Sequence, residues 1–204
     1  MLKEVENYLD ELFPNPKCEL NFNKDYELLI AVVLSAQTTD KRVNSVTPIL
    51  FDKYPTLEEL SNADVETIGQ IIKPIGTFNK KAVFVKEIAT ILKDNYDGMV
   101  PNDRASLEKM PGVGRKTTNV VLSVLFNVPA IAVDTHVARV SKRLGLAKRN
   151  DTVNVIEKKL MKKLEKSTWS KRHHQLVLFG RYHCKAISPN CSTCKLKSIC
   201  KDSR

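Results

Sequence analysis

The chain has 204 residues, 42% apolar and 27% charged, with seven glycines and nine prolines. That length buries a sizeable core as one domain or two compact ones, and the composition excludes a disordered or fibrous chain. The net charge of +10 is one-sided, because residues 139–204 hold 18 Lys and Arg against 4 Asp and Glu while residues 1–138 hold 15 against 19. A basic half of this kind points to a polyanionic partner.

Leu2, Val5, Leu9 and Leu12 recur at helical spacing, and Pro14 and Pro16 close that helix. Asn23 or Asp25 opens a long apolar segment, Tyr26 to Ala36, whose length without alternation fits a buried helix rather than a strand. It ends in the polar run Ser35-Ala36-Gln37-Thr38-Thr39-Asp40. Asp40 is expected to cap a third helix with Val43, Val46 and Leu50 on one face, and Pro48 to bend or interrupt it. Thr56 with Glu59 spells a capping box, and Asp64 starts a further helix through Ile68, Ile71 and Ile72. Gly76, Thr77 and Phe78 then turn the chain into an amphipathic helix carrying Val85, Ile88, Ile91 and Leu92. Asp97-Gly98 makes a turn, and Asp103 starts a short helix.

Ser106 to Arg139 is the most informative stretch. Pro111 removes a backbone donor, and two glycines beside it permit a tight turn before the next helix. The amides of Gly112, Val113 and Gly114 are expected to point outward at that helix N-terminus, a nest suited to a phosphate. Gripping a nucleic-acid backbone this way reads no bases. Lys116 follows two residues later, where a partly desolvated lysine is either a phosphate contact or a nucleophile. Asp134 stands after Ile131-Ala132-Val133 and before Thr135-His136-Val137, the place of a helix N-cap.

Gly145 should close the helix that Asp134 opens. Residues 152–166 read as a helix with Val155, Ile156, Leu160 and Leu164 inward and five lysines outward. Trp169 to His183 reads as a last helix, with His173 and His174 structural. No segment alternates over strand length, so the fold class is all-α. Cys184, Cys191, Cys194 and Cys200, spaced C-x6-C-x2-C-x5-C, form a metal site, since disulfides are disfavoured in a cytosolic chain. Spacing alone leaves zinc and an iron–sulfur cluster both open. Cys18 stands apart as a structural thiol.

Leu107 to Thr117 (LEKMPGVGRKT), Val133 to Val137 (VDTHV) and the cysteine spacing together resemble the helix-hairpin-helix (HhH-GPD) DNA glycosylases that carry a C-terminal 4Fe–4S cluster. The likeness runs over nearly the whole chain. It implies a two-lobed fold: a six-helix barrel domain over residues 18–128, with the hairpin at about 106–120, and a cluster domain from 1–17 plus 129–204, with the cluster loop at 184–200. Damaged double-stranded DNA would lie in the cleft, with Lys116 and Asp134 facing each other at its mouth. The resemblance makes Lys116 the nucleophile and Asp134 its catalytic partner. It places Gly112, Val113, Gly114 and Arg115 on the DNA backbone and Gln37 in the gap left by the extruded nucleotide. Lys195 and Lys197 would add charge toward the phosphates, and the four cysteines would hold the 4Fe–4S cluster. Where such proteins usually carry a bulky apolar wedge, this chain has Thr77.

The implied function is base-excision repair by a glycosylase with AP lyase activity. It would remove oxidised pyrimidines and cut 3′ to the abasic site by β-elimination through a lysine Schiff base. The alternatives are a monofunctional adenine-type glycosylase, whose relatives lack the lysine and add a C-terminal domain, and a non-catalytic hairpin DNA-binding protein. The N-terminus (MLKEVENYLDELF) has no apolar core of a signal peptide, and no apolar run reaches the ~18 residues of a membrane span. A cytoplasmic, nucleoid-associated monomer is therefore expected.

Overall fold

The computed structural model describes residues 1–202, which form helices and loops with no strand among them. Contacts divide the chain into two compact units, Glu19–Phe126 and Met1–Cys18 together with the chain from Asn127 onward.

The unit Glu19–Phe126 holds α2 (Asp25–Leu34), α3 (Asp40–Lys53), α4 (Leu57–Asn62), α5 (Val65–Ile71), α6 (Phe78–Tyr96), α7 (Arg104–Leu107) and α8 (Arg115–Phe126). Its centre is α2, every residue of which from Tyr26 to Leu34 is buried. A helix apolar on all sides has to be enclosed, and α3, α6 and α8 pack around it. Leu28, Leu29, Ile30 and Leu34 are fully buried, each contributing roughly 2 kcal/mol of apolar transfer. Glu27 lies at the start of this helix and is satisfied there, accepting the amides of Asn23 (2.7 Å) and Lys24 (3.3 Å).

The expected caps form at Thr56, Asp64 and Asp103 but not at Asp40. Thr56 and Glu59 exchange bonds in a capping box, and Asp64 accepts the Thr67 amide at 2.8 Å. For α3 the cap is Thr39, whose hydroxyl takes the Arg42 amide, and Asp40 is the first helical residue instead. Pro48 does not interrupt α3, which runs unbroken from Asp40 to Lys53. The loss of one backbone bond, about 3 kcal/mol, is outweighed by burial of Val43, Val46 and Leu50 on the face against α2.

The other unit holds α1 (Leu2–Leu12), α9 (Thr135–Arg143), α10 (Val153–Lys163) and α11 (Trp169–Leu178). Its core joins Val5, Leu9, Ile131, Val137, Val140, Ile156, Leu160 and Phe179. A polar network ties α1 to α11. Arg172, 7% exposed, donates to both Asp10 oxygens at 2.9 and 3.0 Å, and Gln175 donates to the carbonyls of Leu9 and Phe13. Burial alone would raise the Asp10 carboxyl, but hydrogen bonds from Lys171, Arg172 and Gln175 hold it well below the usual range.

Helix α9 ends as expected at Gly145 (φ +69°), where Gly145 N–H donates to Lys142 and Leu146 N–H to Ser141, the Schellman pattern. One expectation fails in this unit: Val155 points outward at 39% exposure, leaving Ile156, Leu160 and Leu164 to face the core. The last helix spans Trp169 to His183 as expected, in α geometry to Leu178 and then as a wider π-helical turn, Phe179–His183, closed by Cys184 N–H on Phe179 O at 2.7 Å. A Cβ on Gly180 in that turn would lie 2.8 Å from His136 Cβ, so glycine lets the turn pack directly against α9.

Candidate active site and metal centre

The hairpin is built by α7, the Met110–Gly114 turn and the first turn of α8. Asp103 caps α7 through the Ser106 amide at 2.9 Å, and Arg104 on α7 bridges to Asn119 on α8. Gly112 has φ +74° and sits tightly over α2 and α6. A Cβ there would lie 2.7 Å from the Phe84 ring and 3.0 Å from Val33. Gly114 differs, because a Cβ on it would meet no described atom within 4 Å. The amides also differ from expectation. Val113 N–H is spent inside the turn on Met110 O at 3.1 Å, whereas among the described residues neither Gly112 N–H nor Gly114 N–H has a backbone acceptor. The hairpin amides left without a backbone acceptor are thus those of the two glycines before the first turn of α8. Arg115 and Lys116 are both exposed there, so the folded protein by itself does not supply the desolvation expected of Lys116.

The same unit presents Gln37. It is exposed at the end of α2, four residues beyond the Val33 that supports Gly112, and its backbone is left-handed at φ 57°. Thr77, the residue before α6, is also exposed and left-handed, with φ 57° and ψ 32°. Its hydroxyl donates to the Gly76 carbonyl at 2.7 Å. A β-branched residue in this region is strained by roughly 1–3 kcal/mol. Phe78 is half-buried and packs near Gly69, not outward as a wedge.

Asp134, Lys195, Lys197 and the four C-terminal cysteines belong to the other unit. Asp134 caps α9, one carboxylate oxygen taking the Val137 amide at 2.8 Å, and it is half-buried. Burial pushes the imidazole of His136, the second residue of α9, below its ordinary pKa, an effect that the Asp134 charge opposes. Lys195 is not available as a bare charge. Its ammonium lies 2.5 and 2.7 Å from the Glu11 oxygens and over the Tyr8 ring. Lys197 is exposed on a 3₁₀ turn, Lys197–Ile199, beside the cysteines. Sequence reading missed a more open basic surface between the end of α9 and α10. Lys142, Lys148, Arg149, Lys163 and Lys201 line a groove there, and the acid among its lining residues is Asp202.

Cys184, Cys191, Cys194 and Cys200 line one small pocket with Phe179, His183 and Leu144. Burial pushes the Cys194 thiol up, and the charges of Cys184, Cys200 and Cys191 push it further. Arg143 reinforces the cavity wall, donating to Cys184 Sγ at 3.4 Å and to Lys185 O at 2.7 Å. Among the described residues no three ligand side chains converge closely enough to hold a single ion. Four thiols lining one pocket are a donor set that suits tetrahedral zinc or an iron–sulfur cluster.

Residues 30–166 match the model of the HhH-GPD superfamily base excision DNA repair proteins. The chain belongs to this superfamily. Within it, the chain is 50% identical to endonuclease III of Bacillus subtilis (strain 168) over 98% of its own length and 93% of the relative's, and 43% identical to endonuclease III of Escherichia coli (strain K12) over 97% and 93%. A solved endonuclease III–DNA covalent intermediate, trapped as an estranged-adenine complex, superposes with a TM-score of 0.95 at 50% identity, covering 99% of this chain and 95% of that one. A thermostable thymine-DNA glycosylase shares the fold at 24% identity, with a TM-score of 0.85 over 98% of this chain and 94% of that one. No described helix is long and apolar enough to cross a membrane.

Proposed function

We propose that Lys116 and Asp134 carry the chemistry of this base-excision-repair DNA glycosylase and AP lyase, acting on oxidised pyrimidines and abasic sites in duplex DNA. The observation that carries the reading is an exposed lysine in the first turn of α8, directly behind a turn whose Gly112 and Gly114 amides have no backbone acceptor among the described residues. Those neutral donors suit a phosphate, and they place it beside an amine. C1′ is reached only once the damaged nucleotide has left the stack. Lys116 Nζ then bonds to C1′ as the C1′–N bond to the base breaks, and the lysine gives up its proton. Ring opening leaves an imine between Nζ and C1′. The imine acidifies the C2′ protons, and loss of one expels the 3′ phosphate. Asp134 accepts the lysine proton and opposes the positive charge that grows on the sugar.

Cys184, Cys191, Cys194 and Cys200 would hold a 4Fe–4S cluster, which in this reading orders the 184–200 loop and takes no part in the bond changes. The residue types at both catalytic positions and the full-length likeness to endonuclease III support this over a monofunctional relative. The deciding experiment is borohydride reduction on abasic duplex with the wild-type protein and Lys116→Gln. The wild type should give a covalent adduct. Lys116→Gln should bind the duplex yet give neither adduct nor cleavage. Efficient trapping by the glutamine protein would move the nucleophile to another amine.

A further inference from the structure

A buried ammonium lies beneath the two loops that carry Gln37 and Thr77. Lys81, in the first turn of α6, is 4% exposed, and its Nζ donates to Leu34 O at 2.9 Å and Ala36 O at 2.6 Å. Leu34 is the last residue of α2, so its carbonyl is one of the acceptors that a helix C-terminus leaves without an intrahelical donor. The negative end of the helix dipole favours a cation there. Burial pulls the Lys81 ammonium below the usual lysine range, which measures the cost of keeping a charge inside. Such a charge persists where its hydrogen bonds fix something that an apolar side chain would leave loose.

What it fixes is a pair of loops. The bonds to Leu34 and Ala36 straddle Ser35 and end one residue before Gln37. Two residues of these loops, Gln37 and Thr77, are exposed and left-handed without being glycine, each at φ 57°. The loops touch, since a Cβ on Gly76 would lie 3.9 Å from Gln37 O. Lys81 also belongs to the Thr77 side, its amide donating to Thr77 O at 3.2 Å. Within the Gln37 loop the Thr38 amide donates to Ser35 O at 3.2 Å, while the Thr38 hydroxyl is buried without a hydrogen-bond partner, so the Lys81 bonds add the long-range tie that the loop's own contacts lack. Thr77 offers only a short polar tip, and its hydroxyl is already engaged by Gly76 O. The resemblance to the family gives the role of filling the space of an extruded nucleotide to Gln37.

We infer that Lys81 is the positioning residue for this pair of loops: its ammonium locks the end of α2 so that Gln37 stands pre-formed against Gly76–Thr77 to replace the flipped nucleotide. The inference rests on the base-flipping reading above. Pre-forming the loop removes an ordering cost from the damaged complex only, so the benefit appears as discrimination rather than as general DNA affinity.

The test is a double-mutant cycle of Lys81→Met and Gln37→Ala. Affinity is measured for a duplex with a tetrahydrofuran abasic analogue and for the same duplex undamaged, with 2-aminopurine opposite the analogue reporting insertion. Each single variant should lose about tenfold of the preference for the damaged duplex while affinity for the undamaged one stays level, and the double variant should lose no more than either single. The 2-aminopurine response should vanish in Lys81→Met. A merely structural lysine would give additive losses, and additivity or an undiminished preference in Lys81→Met overturns the inference. Should Lys81→Met not fold, as read by circular dichroism, Lys81→Gln removes the charge, keeps a shorter donor and carries the same cycle. A wild-type protein with no preference for the abasic duplex would instead refute the glycosylase reading, so the two failures are distinct.

Discussion

Replacing each hairpin glycine by alanine should separate a glycine that serves the fold from one that serves the ligand. At Gly112 an added Cβ meets two obstacles: a backbone at φ +74° and contacts of 2.7 Å to Phe84 and 3.0 Å to Val33. Left-handed backbone costs an ordinary residue about 1–2 kcal/mol and overpacking about 1–3, so Gly112→Ala should destabilise by roughly 2–4 kcal/mol. For a chain of this size that corresponds to a fall in Tm of roughly 5–15 °C. At Gly114 a Cβ meets nothing within 4 Å, so Gly114→Ala should leave Tm level or slightly raised. Its Cβ would nonetheless stand where a phosphate approaches the amide, and affinity for undamaged duplex should drop about tenfold, the loss of one charge-assisted hydrogen bond. Thermal unfolding and fluorescence anisotropy on one duplex measure both effects. If Gly114→Ala lowered Tm as far as Gly112→Ala, or bound DNA like the wild type, the division between the two glycines would be refuted.

Asp134→Asn should keep the cap on Val137, since asparagine caps about as well as aspartate, and should leave stability within about 0.5 kcal/mol of the wild type. Single-turnover excision should nevertheless fall at least about a hundredfold; full activity would reduce Asp134 to a cap. Protein purified anaerobically should be yellow-brown and contain iron and sulfide, with broad absorbance near ~400 nm. Stoichiometric zinc in place of iron would overturn the cluster assignment.

The parts of this fold legible in the sequence are those whose physics is local. Pro111 between Met110 and Gly112 can only be a turn, Asp134 before Thr135 caps the helix it precedes, and Gly145 ends it. What escaped depends on partners far along the chain. Lys195 looks like a bare surface charge until Glu11, 184 residues earlier, is found beside it. Lys81, in the run Asn79-Lys80-Lys81-Ala82, reads as solvent-facing, and only the end of α2 explains its burial. Gln37 and Thr77 are left-handed without the Gly, Asn or Asp that signals this conformation, so no propensity rule reaches them. Val113 had seemed an anion donor, but the tight turn consumes its amide locally.

On the proposed reading the two units hold DNA by different kinds of force. Residues 19–126, with the hairpin, carry 13 Lys and Arg against 14 Asp and Glu, so that unit is nearly neutral. The Gly112 and Gly114 amides would hold a phosphate there as neutral donors, which displace few counterions. The positive excess lies wholly in the other unit, where Lys142, Lys148, Arg149, Lys163 and Lys201 line an open groove while Glu11 occupies Lys195. Only charge neutralisation releases counterions and steepens the dependence of binding on salt. It follows that Gly114→Ala should weaken binding by the same factor at every salt concentration, leaving the slope of log K against log salt unchanged. A flatter slope in that variant would mean that cations, not amides, make the hairpin's contact.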